Sequence, residues 1–176
     1  CRLAGAIKNT DFKRKYLYRR LGPAYQKDLS KARQKLQGTD IPDALPRAIK
    51  LLDQLVATTQ AEHVIHGDFH LGNIIMTQDG PRVIDPKGLR ADPALEFAKT
   101  LMRSNAGPTP QATARHIDDQ AALMAKSIGS TPQRLVQWAA VEMAMGTFRM
   151  RRGTPDRSER LPHLTFLLDL AEREIS

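Results

Sequence analysis

Between Glu62 and Gly88 the hydrophobic pattern of this chain changes period. That change limits the fold more than any other feature. Upstream, LPRAIKLLDQLVATT repeats apolar residues at helical spacing through Leu45, Ile49, Leu52, Leu55 and Val56. The segment EHVIHGDFHLGNIIMTQDGPRVIDPKG then carries short β-branched runs separated by polar loops. Asp79-Gly80 between two such runs is a hairpin turn signal. Downstream the helical period returns. Asp92-Pro93 reads as an N-cap with a first-turn proline, and Thr109-Pro110 and Thr131-Pro132 read as two further helix starts. The expected fold class is α+β and mainly helical, with a small β-hairpin carrying polar loops.

Finer boundaries follow from breakers and caps. Asp11 to Leu36 reads as helical with an interruption at Gly22-Pro23. GPTP ends the helix that follows Asp92, Gly129 ends the next, and Gly153 stops the third. A last helix spans about Glu159 to Glu174. Three parts are expected: helices over 1–62, the loop-bearing hairpin over 63–91, and a helical subdomain over 92–176.

With 176 residues the chain can bury one substantial core. No apolar run reaches the ~18–20 residues of a membrane span, and no secretion signal is visible. The single cysteine, Cys1, forms no intrachain disulfide, so a cytoplasmic setting is expected. Net charge is +8, and Lys plus Arg number 13 before His63 against 6 Asp plus Glu. Such a basic stretch invites nucleic acid. The same side chains equally suit a solvated helix face, and no zinc finger or aromatic-interleaved ribbon accompanies them, so nucleic acid and membrane are not expected partners.

The chemistry lies in Asp68, Asn73 and Asp85. Asp68 and Asn73 are five apart across a tight loop, and antiparallel pairing returns Asp85 toward Asn73. Hard oxygen ligands suit Mg²⁺, which takes one or two carboxylates together with phosphate and water. A second carboxylate, Asp68, then remains to orient or deprotonate a hydroxyl. Phosphoryl transfer needs such a base, amide and carboxylate. A zinc-hydrolase reading through His66, Asp68 and His70 leaves Asn73 and the IDP turn unexplained.

HGDFHLGN followed by IDPKG resembles the catalytic and metal-binding segments of aminoglycoside phosphotransferase-like kinases. IDPKGLRADPALEFA is most similar to the streptomycin and hydroxyurea resistance kinases. The resemblance implies a protein-kinase-like carboxy-terminal lobe and an ATP-dependent small-molecule kinase. It implies Asp68 as catalytic base and Asn73 and Asp85 as Mg²⁺ ligands. His66 would brace the loop, Asp92 would tie down the segment after it, and Lys87 would approach a nucleotide phosphate. Asp118, Asp119 and Glu142 are candidate acceptor-binding carboxylates by position. The acceptor would be a small hydroxylated compound, an aminoglycoside, sugar or similar. The amino-terminal kinase lobe, with its glycine-rich loop and strand lysine, has no counterpart in these residues. The chain starts at Cys1 rather than Met. It is therefore expected to be one lobe of a longer kinase, inactive alone and prone to self-association through its uncovered face. The non-enzyme alternative is a kinase-fold interaction domain that no longer catalyses.

Overall fold

The computed structural model describes residues 19–38, 42–102, 110–149 and 157–173. The described residues form six α-helices and two small antiparallel strand pairs. Helix α1 covers Leu21–Lys35 and buries Leu21, Tyr25, Leu29 and Ala32, one stripe at helical spacing. It runs straight through Gly22-Pro23, where the sequence suggests a break. Pro23 lies in the first turn, where a missing N–H costs nothing. Gly22 lets α1 approach the next helix closely: a Cβ there would lie 2.9 Å from Val56 Cγ2. Helix α2 spans Ala44–Thr58 and buries Leu45, Ala48, Leu51, Leu52 and Leu55 against α1 and α5.

Strand β1 (His63–Ile65) pairs antiparallel with β4 (Leu89–Ala91), joining His63 to Ala91 and Ile65 to Leu89. Inside that pair sits a hairpin of β2 (Ile74–Thr77) and β3 (Gly80–Val83), with Thr77 opposite Gly80 across the Gln78-Asp79 turn. Strand β4 is an element the sequence pattern did not signal: only three residues extend, and their partners lie 24 to 28 positions upstream in β1. The backbone before α1 also reaches β4, Arg90 N–H donating to Arg19 O at 3.1 Å.

Asp92 caps a 3-10 turn, Pro93–Phe97, that runs into the short helix α3 (Ala98–Met102). Helices α4 (Pro110–Ile128), α5 (Pro132–Phe148) and α6 (Arg157–Ala171) follow. Helix α5 is the axis of the core. It buries residues nearly all round, among them Leu135, Trp138, Val141 and Phe148, and packs against α2, α3, α4 and α6. It ends at Phe148, five residues before the Gly153 stop expected, because Arg149 is extended. Gly153 and residues 107–109 of the GPTP stretch lie outside the described residues.

Candidate active site

The nesting of the two strand pairs makes the site. Residues 66–73 leave β1 and enter β2, while residues 84–88 leave β3 and enter β4. The two loops therefore run side by side. Two backbone bonds tie them: Ile84 N–H to Asn73 O at 2.9 Å and Lys87 N–H to His66 O at 2.8 Å. Asp68, Asn73, Asp85 and Lys87 are thus brought to one end of the strands.

Within the first loop, Gly67 turns the chain at φ +76°, and a Cβ there would meet Leu89 Cδ1 at 2.6 Å. His66 Nδ1 accepts the Asp68 backbone N–H at 3.2 Å, so its Nε2 carries the proton and donates to Ile84 O at 2.7 Å. Both ring nitrogens are therefore committed to bracing the two loops, which removes His66 from any metal set. Asn73 Nδ2 donates to Asp68 O at 2.9 Å, leaving Oδ1 as its acceptor atom. His70 turns back on its own loop, Nδ1 accepting from Gly72 N–H. Phe69 packs edge-on against His66 and Phe97, which seats the loop on the helical body.

The Asp68 carboxylate faces two ammonium groups. Lys99 Nζ lies 2.7 Å from Oδ1 and Lys87 Nζ 3.5 Å from Oδ2. The Lys99 bond is the chief reason that Asp68 titrates below the ordinary carboxyl range. Lys87 also contacts Asp85 Oδ2 at 2.9 Å, so one side chain bridges both aspartates. Among the described residues Asp85 alone, apart from glycines, has positive φ, at 56°. Left-handed backbone in a side-chain-bearing residue costs energy and concentrates at functional sites. Here it accompanies a carboxylate that remains 64% exposed at the loop.

Three side chains beneath the loops, Glu96, Lys99 and Tyr25, were not among the residues singled out from the sequence. Glu96, on the 3-10 turn four residues after Asp92, accepts the His66 backbone N–H at 2.6 Å. Burial raises its pKa above the ordinary 4.5. Lys99 follows three positions later on the same face, and its Nζ lies 3.9 Å from Glu142 Oε1. Glu142 in turn accepts the hydroxyl of Tyr25, whose own ionisation burial and that carboxylate push well above 10. Tyr25, Lys99 and Glu142 come from three helices, so only the packed chain joins them. The spacing Asp92, Glu96, Lys99 is the one local clue.

Asp92 is buried. Its Oδ1 accepts Ala94 N–H at 2.9 Å and its Oδ2 accepts Arg134 Nε at 2.6 Å. Arg134 also donates to Leu55 O and to Thr58 and Thr59 at the end of α2. Of the three candidate acceptor carboxylates, Glu142 lies beside Asp68 through Lys99. Asp118 pairs with Arg173 at 3.0 Å, and Asp119 is exposed on α4.

No group of three or more His, Cys, Asp or Glu side chains gathers among the described residues. Mg²⁺ does not require one, since phosphate and water complete its shell. Asp85 and the free Oδ1 of Asn73 are hard oxygen donors and fit that ion. None of the described helices is long and apolar enough to cross a membrane. Comparison with curated proteins and with solved structures found no match. A family model described as aminoglycoside/hydroxyurea antibiotic resistance kinase matches residues 20–153, which include both loops and five of the six helices. The chain belongs to the aminoglycoside/hydroxyurea antibiotic resistance kinase family.

Proposed function

We propose that this chain is the carboxy-terminal lobe of a small-molecule kinase that moves the γ-phosphoryl group of ATP onto a hydroxyl. The observation carrying the reading is the convergence of Asp68, Asn73 and Asp85 on two adjacent loops, with Lys87 bridging the two carboxylates. Asp68 takes the proton of the acceptor hydroxyl. The freed oxygen forms a bond to the γ-phosphorus, the bond from that phosphorus to the bridging oxygen breaks, and ADP leaves. Asp85 and Asn73 would hold Mg²⁺, which when bound neutralises phosphate charge. Lys87 supplies a further cation for the phosphates, and His66 and Glu96 keep the base loop in shape.

The flank of this site supports a second body above it. Leu71 is 85% exposed and Met76 77%, and Ile75 and Ile84 are also exposed. Such an apolar rim beside catalytic loops suits a nucleotide and the first lobe of a longer kinase. The acceptor is a small hydroxylated compound, in keeping with the aminoglycoside and hydroxyurea named for the family.

The test is ATP-dependent phosphorylation of a panel of hydroxylated compounds by the native protein, with and without Mg²⁺. Asp68→Asn keeps the fold and lowers transfer by roughly a thousandfold or more. This size is expected because the base acts in the chemical step. Transfer by Asp68→Asn at the native rate would remove Asp68 from the role of base. Metal-independent transfer would remove Asn73 and Asp85 as ligands.

A further inference from the structure

The two carboxylate oxygens of Asp68 are held unequally. Its backbone is fixed at both ends: the N–H donates to His66 Nδ1 at 3.2 Å and the carbonyl accepts Asn73 Nδ2 at 2.9 Å. Oδ1 accepts Lys99 Nζ at 2.7 Å, with His70 Nε2 3.9 Å away. Oδ2 has a looser neighbour, Lys87 at 3.5 Å, beyond the usual N–H···O length. Lys87 lies closer to Asp85, at 2.9 Å. One oxygen is therefore anchored and the other is open.

Lys99 is itself firmly placed. It stands on α3 between Ala98 and Leu101, both fully buried. Its Nζ lies 3.5 Å from Gly67 O and 3.9 Å from Glu142 Oε1. Glu142 is 12% exposed and accepts the Tyr25 hydroxyl, so α5 and α1 both back the ammonium. Asp68, Asp85 and Glu142 share the two ammonium groups of Lys87 and Lys99, so the cluster keeps a net negative charge and does not turn away a cationic acceptor. What Lys99 supplies is direction. The terminal torsion of an aspartate is soft and broad, so a cation fixed to Oδ1 decides where Oδ2 points.

We propose that Lys99 is a positioning residue for phosphoryl transfer: it clamps Oδ1 of Asp68 to the helical body and thereby presents Oδ2 to the acceptor hydroxyl. The inference rests on the kinase reading above. The hydroxyl proton goes to Oδ2, while Lys99 keeps its own protons and acts only through Asp68. A misplacement of about 1 Å at a reacting group can cost on the order of a hundredfold in rate, so the clamp matters to the chemical step rather than to nucleotide binding.

The experiment measures kcat and KM for ATP, with Mg²⁺ and an acceptor that the native protein phosphorylates. It compares the native protein with Lys99→Met, Lys99→Gln, Lys99→Arg, Asp68→Asn and Asp68→Asn combined with each neutral Lys99 variant. Thermal unfolding checks that each one folds, and either neutral variant serves where the other does not. Loss of the ammonium lowers kcat by about tenfold or more and leaves KM for ATP within about twofold. Lys99→Arg, which keeps a cation for Oδ1, recovers part of that loss. In the Asp68→Asn background the same loss of ammonium changes the residual transfer by less than about twofold, because its route runs through the Asp68 carboxylate. A full further loss in that background overturns the proposal and makes Lys99 a direct partner of phosphate or acceptor. Native kcat in a folded neutral variant overturns it too. Absence of transfer by the native protein, or native-rate transfer by Asp68→Asn, overturns the kinase reading, and this inference with it.

Discussion

Arg134 on α5 donates from Nε to Oδ2 of Asp92 at 2.6 Å, although the two residues stand 42 positions apart. The same guanidinium reaches Leu55 O at the end of α2. One arginine thereby clamps the segment after the IDPKG loop to the helix that precedes the HGD loop. Arg fits this task because its planar fork can satisfy several acceptors at once.

Removing Arg134 leaves the buried Asp92 carboxylate without its countercharge. Arg134→Met is expected to lower stability in urea unfolding by about 2–4 kcal/mol, the lower part of the range reflecting a partly exposed guanidinium. Asp92→Ala should cost a similar amount because it also removes the cap on Ala94. The double variant should lose clearly less than the two single losses combined, with a coupling of at least ~1 kcal/mol. Simple additivity would show that the pair acts as two independent groups.

Glu96 sets a pH dependence of stability. Burial raises its folded pKa above the ordinary 4.5, so between 4.5 and that raised value the folded chain binds more protons than the unfolded one. Stability from this group therefore falls as pH rises through that window. Glu96→Gln keeps an oxygen for the His66 N–H and carries no charge. Its stability relative to the native chain should improve as pH is raised from 4.5 toward neutrality, measured by thermal unfolding across buffers. A difference independent of pH would exclude Glu96 as the source.

Asp85 holds its left-handed backbone at a cost that glycine does not have. Asp85→Gly is expected to melt at the native temperature or slightly above, while Mg²⁺-dependent phosphoryl transfer drops by a hundredfold or more. A variant that keeps transfer would mean that the loop is bent for packing alone.

Gly67 has the opposite problem. An added Cβ would stand 2.6 Å from Leu89 Cδ1 on a residue at φ +76°. Gly67→Ala should therefore cost about 1–3 kcal/mol in unfolding experiments and reduce transfer as Asp68 is displaced. Truncating Leu89 to Ala alongside it should recover only part of the loss, since the backbone strain remains. Full recovery would assign the whole effect to the clash.

Sequence alone determined the elements that rest on local rules. The stripe from Leu45 to Val56, the Asp92 cap and the Thr131-Pro132 start are each written in neighbouring residues and appear where their local chemistry puts them, while the hairpin signalled by Asp79-Gly80 forms with its turn one residue earlier, at Gln78-Asp79. The order Asp68, Asn73, Asp85 was also readable, because one hairpin brings its ends together. Tertiary structure alone decided β4, whose three residues extend only because β1 offers them a partner. It also decided the cations around Asp68. Lys99, Glu142 and Tyr25 stand on α3, α5 and α1, and no spacing in the chain joins them. Their meeting depends on how α5 packs, a property of summed apolar burial rather than of any short stretch. Local propensity acts over a few residues, whereas the charge at an active site is set by whatever the core brings within a few ångströms.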